Sequence, residues 1–251
     1  MTQPANPWLH YFKSNPKAGV RLFCFPHAGG NALAYRSWAQ KLPAGIEVIA
    51  VQLPGRGNRI HEPLITDLSS LVKLMAPAIA PSLNGPFAFF GHSMGAIVSF
   101  EMARWLRREG RSLPLHMFVS GRSAPPLNGC HPPLYNLATS ELLHELRRLE
   151  GTPSAVLEHP DLMELMLPML RADFSICDTY EYSEEAPLDC PITAFGGLQD
   201  AGITRRNLEP WREQTGSSFT LRMLPGNHFF LHSNEVLLLN VLAIQLRVSF
   251  C

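Results

Sequence analysis

Five residues, Gly91-His92-Ser93-Met94-Gly95, have the types and spacing that a hydrolytic serine needs. In G-x-S-x-G the glycines let the chain turn sharply, and the turn points the serine hydroxyl into a cleft. By composition alone such a pentapeptide arises in roughly one chain of this length in ten. Its flanks say more. The apolar run Phe87-Ala88-Phe89-Phe90 precedes it and a helical pattern over 96–109 follows. That is the strand, turn and helix of a nucleophile elbow. The implied chemistry is acyl transfer through a covalent intermediate on Ser93.

A serine hydroxyl is a poor nucleophile at neutral pH, so it needs a base, and the base needs an orienting carboxylate. Around such an elbow the chain order is Ser, then Asp or Glu, then His. Five of the ten histidines follow Gly121, at 131, 144, 159, 228 and 232. The first three precede the last two strands, which leaves the loop Pro225-Gly226-Asn227-His228 to supply the base. His232 reads as a surface or capping residue. Asp200, in Gly197-Leu198-Gln199-Asp200 after a strand, is the expected acid, with a turn or N-cap aspartate as the plain alternative. Asp173, Asp178 and Asp189 are weaker candidates. An oxyanion hole needs two backbone donors. The N–H of Met94 and that of Ala28, in the glycine-rich loop Pro26-His27-Ala28-Gly29-Gly30, fit that need. His27 reads as structural, and Asn31 and Tyr35 as residues at the mouth of the site.

These residues must be positioned by elements that alternate. Strands are expected at 20–25, 47–51, 87–90, 115–120, 192–196 and 219–224. Helices are expected at 35–42, 67–82 with Asp67 as N-cap, 96–109, 208–215 and 235–247. The alternation implies an α/β fold, a mostly parallel sheet with helices on both faces. One α/β domain over 1–251 is expected. The segment 123–187 breaks the rhythm. It has no clear strand, helical stretches at 140–150 and 161–180, and Pro168 as an expected kink. About sixty residues is too long for a crossover, so the segment reads as a helical lid; the alternative is an extra structural helix pair.

Composition excludes other classes. Twenty-one basic and 21 acidic residues give no net charge, so nothing argues for nucleic acid or an anionic membrane as partner. No apolar run is long enough to span a bilayer, and residues 1–16 lack an apolar signal core. Five scattered cysteines suit neither a disulfide framework nor a zinc site. A reducing cytoplasm and a monomeric state are expected.

Several segments together resemble the stand-alone type II thioesterases of polyketide and nonribosomal peptide assembly lines. They are Phe25-Pro26-His27-Ala28-Gly29-Gly30, Leu53-Pro54-Gly55-Arg56-Gly57, the elbow, Leu167-Pro168-Met169-Leu170-Arg171-Ala172-Asp173-Phe174, Cys190-Pro191-Ile192-Thr193-Ala194-Phe195-Gly196-Gly197 and Pro225-Gly226-Asn227-His228-Phe229-Phe230-Leu231. Ala201 stands where the family often has proline, and Asn227 where it often has glycine. The resemblance implies an α/β-hydrolase fold with an inserted helical lid. It implies hydrolysis of stalled or wrongly loaded acyl groups from the phosphopantetheine thiol of acyl- or peptidyl-carrier protein domains. It implies no metal and no cofactor beyond the pantetheine on the substrate.

Carrier domains are acidic near their modified serine. The cluster Arg104, Arg107, Arg108 and Arg111, or the pair Arg147 and Arg148, could meet one; the other reading is solvated helix faces. Arg171 and Asp173 could pair within the lid. Rival functions are a carboxylesterase, a medium-chain fatty acyl thioesterase and a non-catalytic hydrolase-fold protein. A chain-terminating cyclising domain is disfavoured, because no linker or carrier segment precedes residue 20.

Overall fold

The computed structural model describes residues 6–128, 133–151 and 154–248. The chain opens with β1 (Leu9–Tyr11) and β2 (Val20–Phe25), followed by a 3₁₀ turn, Ala32–Tyr35, and the short helix α1 (Trp38–Lys41). Next come β3 (Ile46–Val51), α2 (Leu68–Ile79), β4 (Phe87–His92), α3 (Met94–Arg108) and β5 (Met117–Ser120). Three helices intervene: α4 (Thr139–Leu149), α5 (Ser154–Leu157) and α6 (Pro160–Asp178). The chain then forms β6 (Ile192–Gly197), α7 (Arg205–Leu208), β7 (Phe219–Leu224), α8 (Phe230–Ser233) and α9 (Glu235–Val248).

The seven strands form one sheet in the order β1-β3-β2-β4-β5-β6-β7. Only β1 is antiparallel, pairing Leu9 with Val51 and Tyr11 with Ile49. The inner parallel strands, β2, β4, β5 and β6, together with β3, are buried on both faces, which explains why they read as apolar runs rather than alternating ones. Alternation still decides which layer each side chain enters. Phe23 and Phe25 of β2 pack with Phe89 of β4 against α2 and α3. Leu22 and Cys24 point the other way, toward Trp38, Phe90 and the Leu238, Leu242 and Leu246 stripe of α9. Because the sheet is parallel, the C-terminal ends of β2, β4, β6 and β7 open onto one edge. The four loops expected to carry the chemistry leave from there.

The expected elements are present with three differences. β1 is additional; three residues were too short to show a period. The expected helix at 35–42 is a 3₁₀ turn and then α1, because Tyr35 is drawn into the core, where its hydroxyl donates to Phe25 O at 2.7 Å. The expected helix at 208–215 is α7 followed by a 3₁₀ stretch, Glu209–Gln214, since Pro210 has no N–H to continue an α-helix. Pro168 lies inside a helix that runs on past it. Its side and Glu164, one turn earlier, are exposed, so water can satisfy the carbonyl that proline leaves unbonded. Asp67 caps α2 as expected, accepting from Ser70 N–H at 2.8 Å.

The helices between β5 and β6 have an apolar core of their own, including Leu142, Leu146, Leu157, Met163, Leu170 and Phe174. His131 and Cys130 lie outside the described residues. Cys24, Cys177 and Cys190 are buried free thiols. Among the described residues no helix is long and apolar enough to cross a membrane.

Phe89 is fully buried, with edge-on contacts to Phe23 and Phe25. Phe89→Ala should cost about 3–5 kcal/mol. In a chain of this size that lowers the thermal midpoint by roughly 6–20 °C. A scan showing a shift under 2 °C would refute this placement of the core.

Candidate active site

Ser93 links β4 directly to α3 with φ 53° and ψ −114°, a strained backbone for a residue with a side chain. Such strain costs on the order of 1–3 kcal/mol and persists only where the surroundings over-determine it. They do so here. A Cβ on Gly91 would collide with the backbone of Gly95, and one on Gly95 with the Phe25 carbonyl of β2. The Ser93 N–H donates to Ser120 O of β5 at 2.7 Å, which pins the turn to the neighbouring strand. The result is a serine held at the sheet's edge, half-exposed in a cleft.

Asp200 follows β6 and His228 follows β7. Gly197 lets these two loops touch, because a Cβ there would strike the Gly226 and Asn227 carbonyls. Asp200 Oδ2 accepts from His228 Nδ1 at 2.7 Å, and Oδ1 accepts from the N–H groups of Gly202 at 2.9 Å and Ile203 at 3.0 Å. Burial pushes the Asp200 carboxyl up, but the bond from His228 and the two amides outweigh it and hold the group below the ordinary range. A carboxylate bonded to Nδ1 leaves Nε2 as the nitrogen free to act. His228 and Ser93 line the same cleft. Among the described residues no direct hydrogen bond joins them; bonds between a candidate nucleophile and base often tighten only in the substrate complex.

The N–H of Met94 is the first of α3, where no intrahelical acceptor exists. Ala28 faces the same cleft. Its carbonyl accepts from His27 Nδ1 at 2.9 Å, so that nitrogen carries the proton. The next N–H, of Gly29, donates to Asp173 Oδ2 at 2.7 Å. Asp173 also forms a two-pronged ion pair with Arg56, at 2.6 and 2.7 Å. The Arg171–Asp173 pairing within the lid is therefore not formed. Arg171 turns instead to Tyr135 O and Thr139. Asn31 caps the 3₁₀ turn and Tyr35 is buried, so neither lines the cleft.

Two histidines beyond the expected base border the site. His92 is fully buried; its Nδ1 meets the Ser120 hydroxyl at 2.9 Å, and its ring lies 5.1 Å from that of His228. His27 packs edge-on against Phe229. Burial lowers both: His92 well below the ordinary value and His27 to about 4. Both are therefore neutral at pH 7. His232 is exposed on α8, stacked on Phe229.

Two cavities meet at Ser93, Ala28, Leu149, Phe174 and His228. The smaller, about 230 Å³, is apolar, with walls including Leu146, Val156, Met166 and Leu170. The larger, about 700 Å³, carries polar groups such as Arg122, Ser123, Asn128 and Ser140. Sequence periodicity marked these helices as apolar but could not say which residues would face the serine. The arginines of α3 are largely spent within the chain. Arg104, Arg107 and Arg108 all pair with Glu185, and Arg104 also with Glu101. Arg148 pairs with Glu145.

The thioesterase domain family model matches residues 20–243. The chain belongs to the thioesterase domain family. It is thus a hydrolase of thioesters, on the α/β-hydrolase fold expected from the elbow. This thioesterase is 50% identical over 243 residues to linear gramicidin dehydrogenase LgrE of Brevibacillus parabrevis, covering 96% of this chain and 92% of that protein. It is 46% identical to gramicidin S biosynthesis protein GrsT of Aneurinibacillus migulanus, covering 97% and 95%. Among solved structures it superposes on the type II thioesterase BorB from the borrelidin biosynthetic cluster. There the TM-score is 0.89 and the identity 34%, over 98% of this chain and 100% of that one.

The neutral histidines set a pH dependence for the thioesterase. Between an unfolded value of 6.5 and a folded value of about 4, the unfolded chain holds a proton at His27 that the folded chain refuses. Stability at pH 7 is therefore lost as pH falls through that window. Denaturant midpoints measured from pH 7 to 4.5 should fall, and His27→Gln should reduce the proton uptake on unfolding by up to about one. An unchanged slope in His27→Gln would contradict a neutral buried ring.

Proposed function

We propose that this chain is a type II thioesterase that clears acyl groups from the phosphopantetheine thiol of carrier proteins in a polyketide or nonribosomal peptide assembly line. The observation that carries the reading is the Asp200–His228 pair sharing a cleft with Ser93, beside a small apolar chamber and a larger one of mixed lining. The names of relatives support the setting: GrsT belongs to gramicidin S biosynthesis and BorB to the borrelidin cluster.

In the proposed reaction the Ser93 hydroxyl attacks the thioester carbonyl while His228 Nε2 takes its proton. Asp200 holds the ring and stabilises the imidazolium. The Ala28 and Met94 amides receive the oxyanion; such a donor is worth about 3–4 kcal/mol of barrier. The C–S bond breaks, His228 protonates the departing thiol, and the acyl group remains on Ser93. Water, activated by His228, then releases the acid. The smaller, apolar chamber takes the acyl group, and the larger one, with polar groups such as Arg122 and Asn128 among its apolar walls, the pantetheine arm. These steps use side chains and backbone amides alone. The carrier would dock as a separate protein.

A second reading comes from the redox name of the Brevibacillus relative. Reduction would require a nicotinamide cofactor. The loop after β2, Pro26-His27-Ala28-Gly29-Gly30, lacks the G-x-G-x-x-G spacing that cradles a pyrophosphate. The Asp200–His228 pair would also have no task.

Single-turnover assays on acyl-loaded carrier proteins, matching acyl-CoA thioesters and p-nitrophenyl esters separate the readings. Release should be fastest from the carriers and abolished in Ser93→Ala. Asp200→Asn should lower it by about 10⁴-fold, the usual cost of a wrong histidine tautomer. Cleavage of oxygen esters alone would make the chain an esterase. Consumption of NADPH with formation of an aldehyde or alcohol would favour the redox reading. Preference for medium-length fatty acyl chains would place it in fatty acid synthesis.

A further inference from the structure

Asp173 is fully buried and Arg56 nearly so. Three separate pieces of chain meet at this pair. Arg56 comes from the loop after β3, Asp173 from α6, and the third piece is the loop after β2. That loop supplies two of the contacts: Gly29 N–H donates to Asp173 Oδ2, and Gly30 O accepts from Arg56 Nη1 at 3.2 Å. The remaining Arg56 bond, from Nε to Pro54 O at 3.3 Å, stays within its own loop.

The peptide plane between Ala28 and Gly29 is thus held at both ends. Its carbonyl takes the His27 proton and its N–H goes to Asp173. Anchoring that plane fixes one of the two peptide groups that meet at the Ala28 Cα, and so narrows where the neighbouring Ala28 N–H can point. Leu170, one turn before Asp173, packs over Gly29, where even a Cβ would strike it. A buried ion pair is seldom a net source of stability, and apolar replacements of similar volume are often neutral or better. A pair whose free valences go mainly to the loop bearing an oxyanion donor has a different use.

We propose that Asp173 and Arg56 are positioning residues for the reaction: their ion pair sets the Ala28 amide to receive the oxyanion. The inference rests on the reading of Ala28 as that donor. It makes the oxyanion hole complete only while the second half of α6 is seated, which couples the lid helix to catalysis.

The test uses the full chain with Arg56→Met/Asp173→Leu, which removes both charges together, and Asp173→Asn, which keeps the side-chain shape. Each is measured for kcat and KM on an acyl thioester, for thermal midpoint, and for affinity toward two inhibitors. One is an alkylboronic acid, which becomes tetrahedral on Ser93. The other is a non-hydrolysable thioether analogue of the substrate. A folded double variant should lose about 10²-fold in kcat with KM within about threefold. It should bind the boronic acid correspondingly more weakly and the thioether as before. Asp173→Asn should lose about tenfold in kcat with KM unmoved; it decides the matter if the double variant does not fold. Parental kcat and boronic acid affinity in either folded variant would overturn the proposal, as would a loss confined to KM. Hydrolysis by the parent that survives Ser93→Ala would instead sink the underlying reading.

Discussion

The crossing of β4 into α3 at Ser93 is the constraint on which the rest depends. A strand and a helix can meet this tightly only if the linking residue takes a positive φ and the residues two places before and after it, Gly91 and Gly95, lack side chains. The strain is repaid by the parallel sheet, which holds Phe25 against Gly95 on one side and Ser120 against Ser93 on the other. Moving either strand would release the turn. The same parallel arrangement brings the loops after β2, β6 and β7 to the edge where the turn stands. The candidate nucleophile, base, acid and amide donors therefore come from four places in the chain.

Electrostatics in this cleft are arranged by neutralisation. His27 and His92 are held neutral by burial, so neither adds positive charge beside His228. The remaining buried charges are paired: Asp173 with Arg56, and Asp200 with two amides and His228. In a low-dielectric site an unpaired charge would be costly and would bias the base toward one protonation state. On the surface near α3, Glu185 draws three arginines together and offsets part of their charge.

Much of this could be read from residue types in order. The elbow, the β6 and β7 loops and the glycine-rich loop each carry a local signal, a strand followed by residues that tolerate a sharp turn. Asp200 and His228 then follow from chain order. Contacts between residues far apart in sequence were not legible. Arg56 and Asp173 are separated by 117 positions, and nothing local tells an arginine in a loop to reach a helix aspartate. Arg171, two residues away, is the partner that local sequence offers, but it donates to Tyr135 O in the turn before α4. Pro168 has a similar dependence on tertiary surroundings, because the cost of its missing N–H is set by whether water reaches the orphaned carbonyl. The half-buried apolar residues of α4 and α6 showed their helical period but not which of them would wall the acyl chamber.

The central claim is that Ser93 carries the acyl group between two half-reactions. Rapid mixing with an acyl-loaded carrier, acid quench and intact-mass analysis with peptide mapping tests it most directly. The account predicts a transient adduct of the acyl mass on the peptide containing Ser93, formed before free acid appears and decaying as acid accumulates. Free acid released with no adduct at any time, under conditions where deacylation is slowed, or an adduct on another residue, would contradict it.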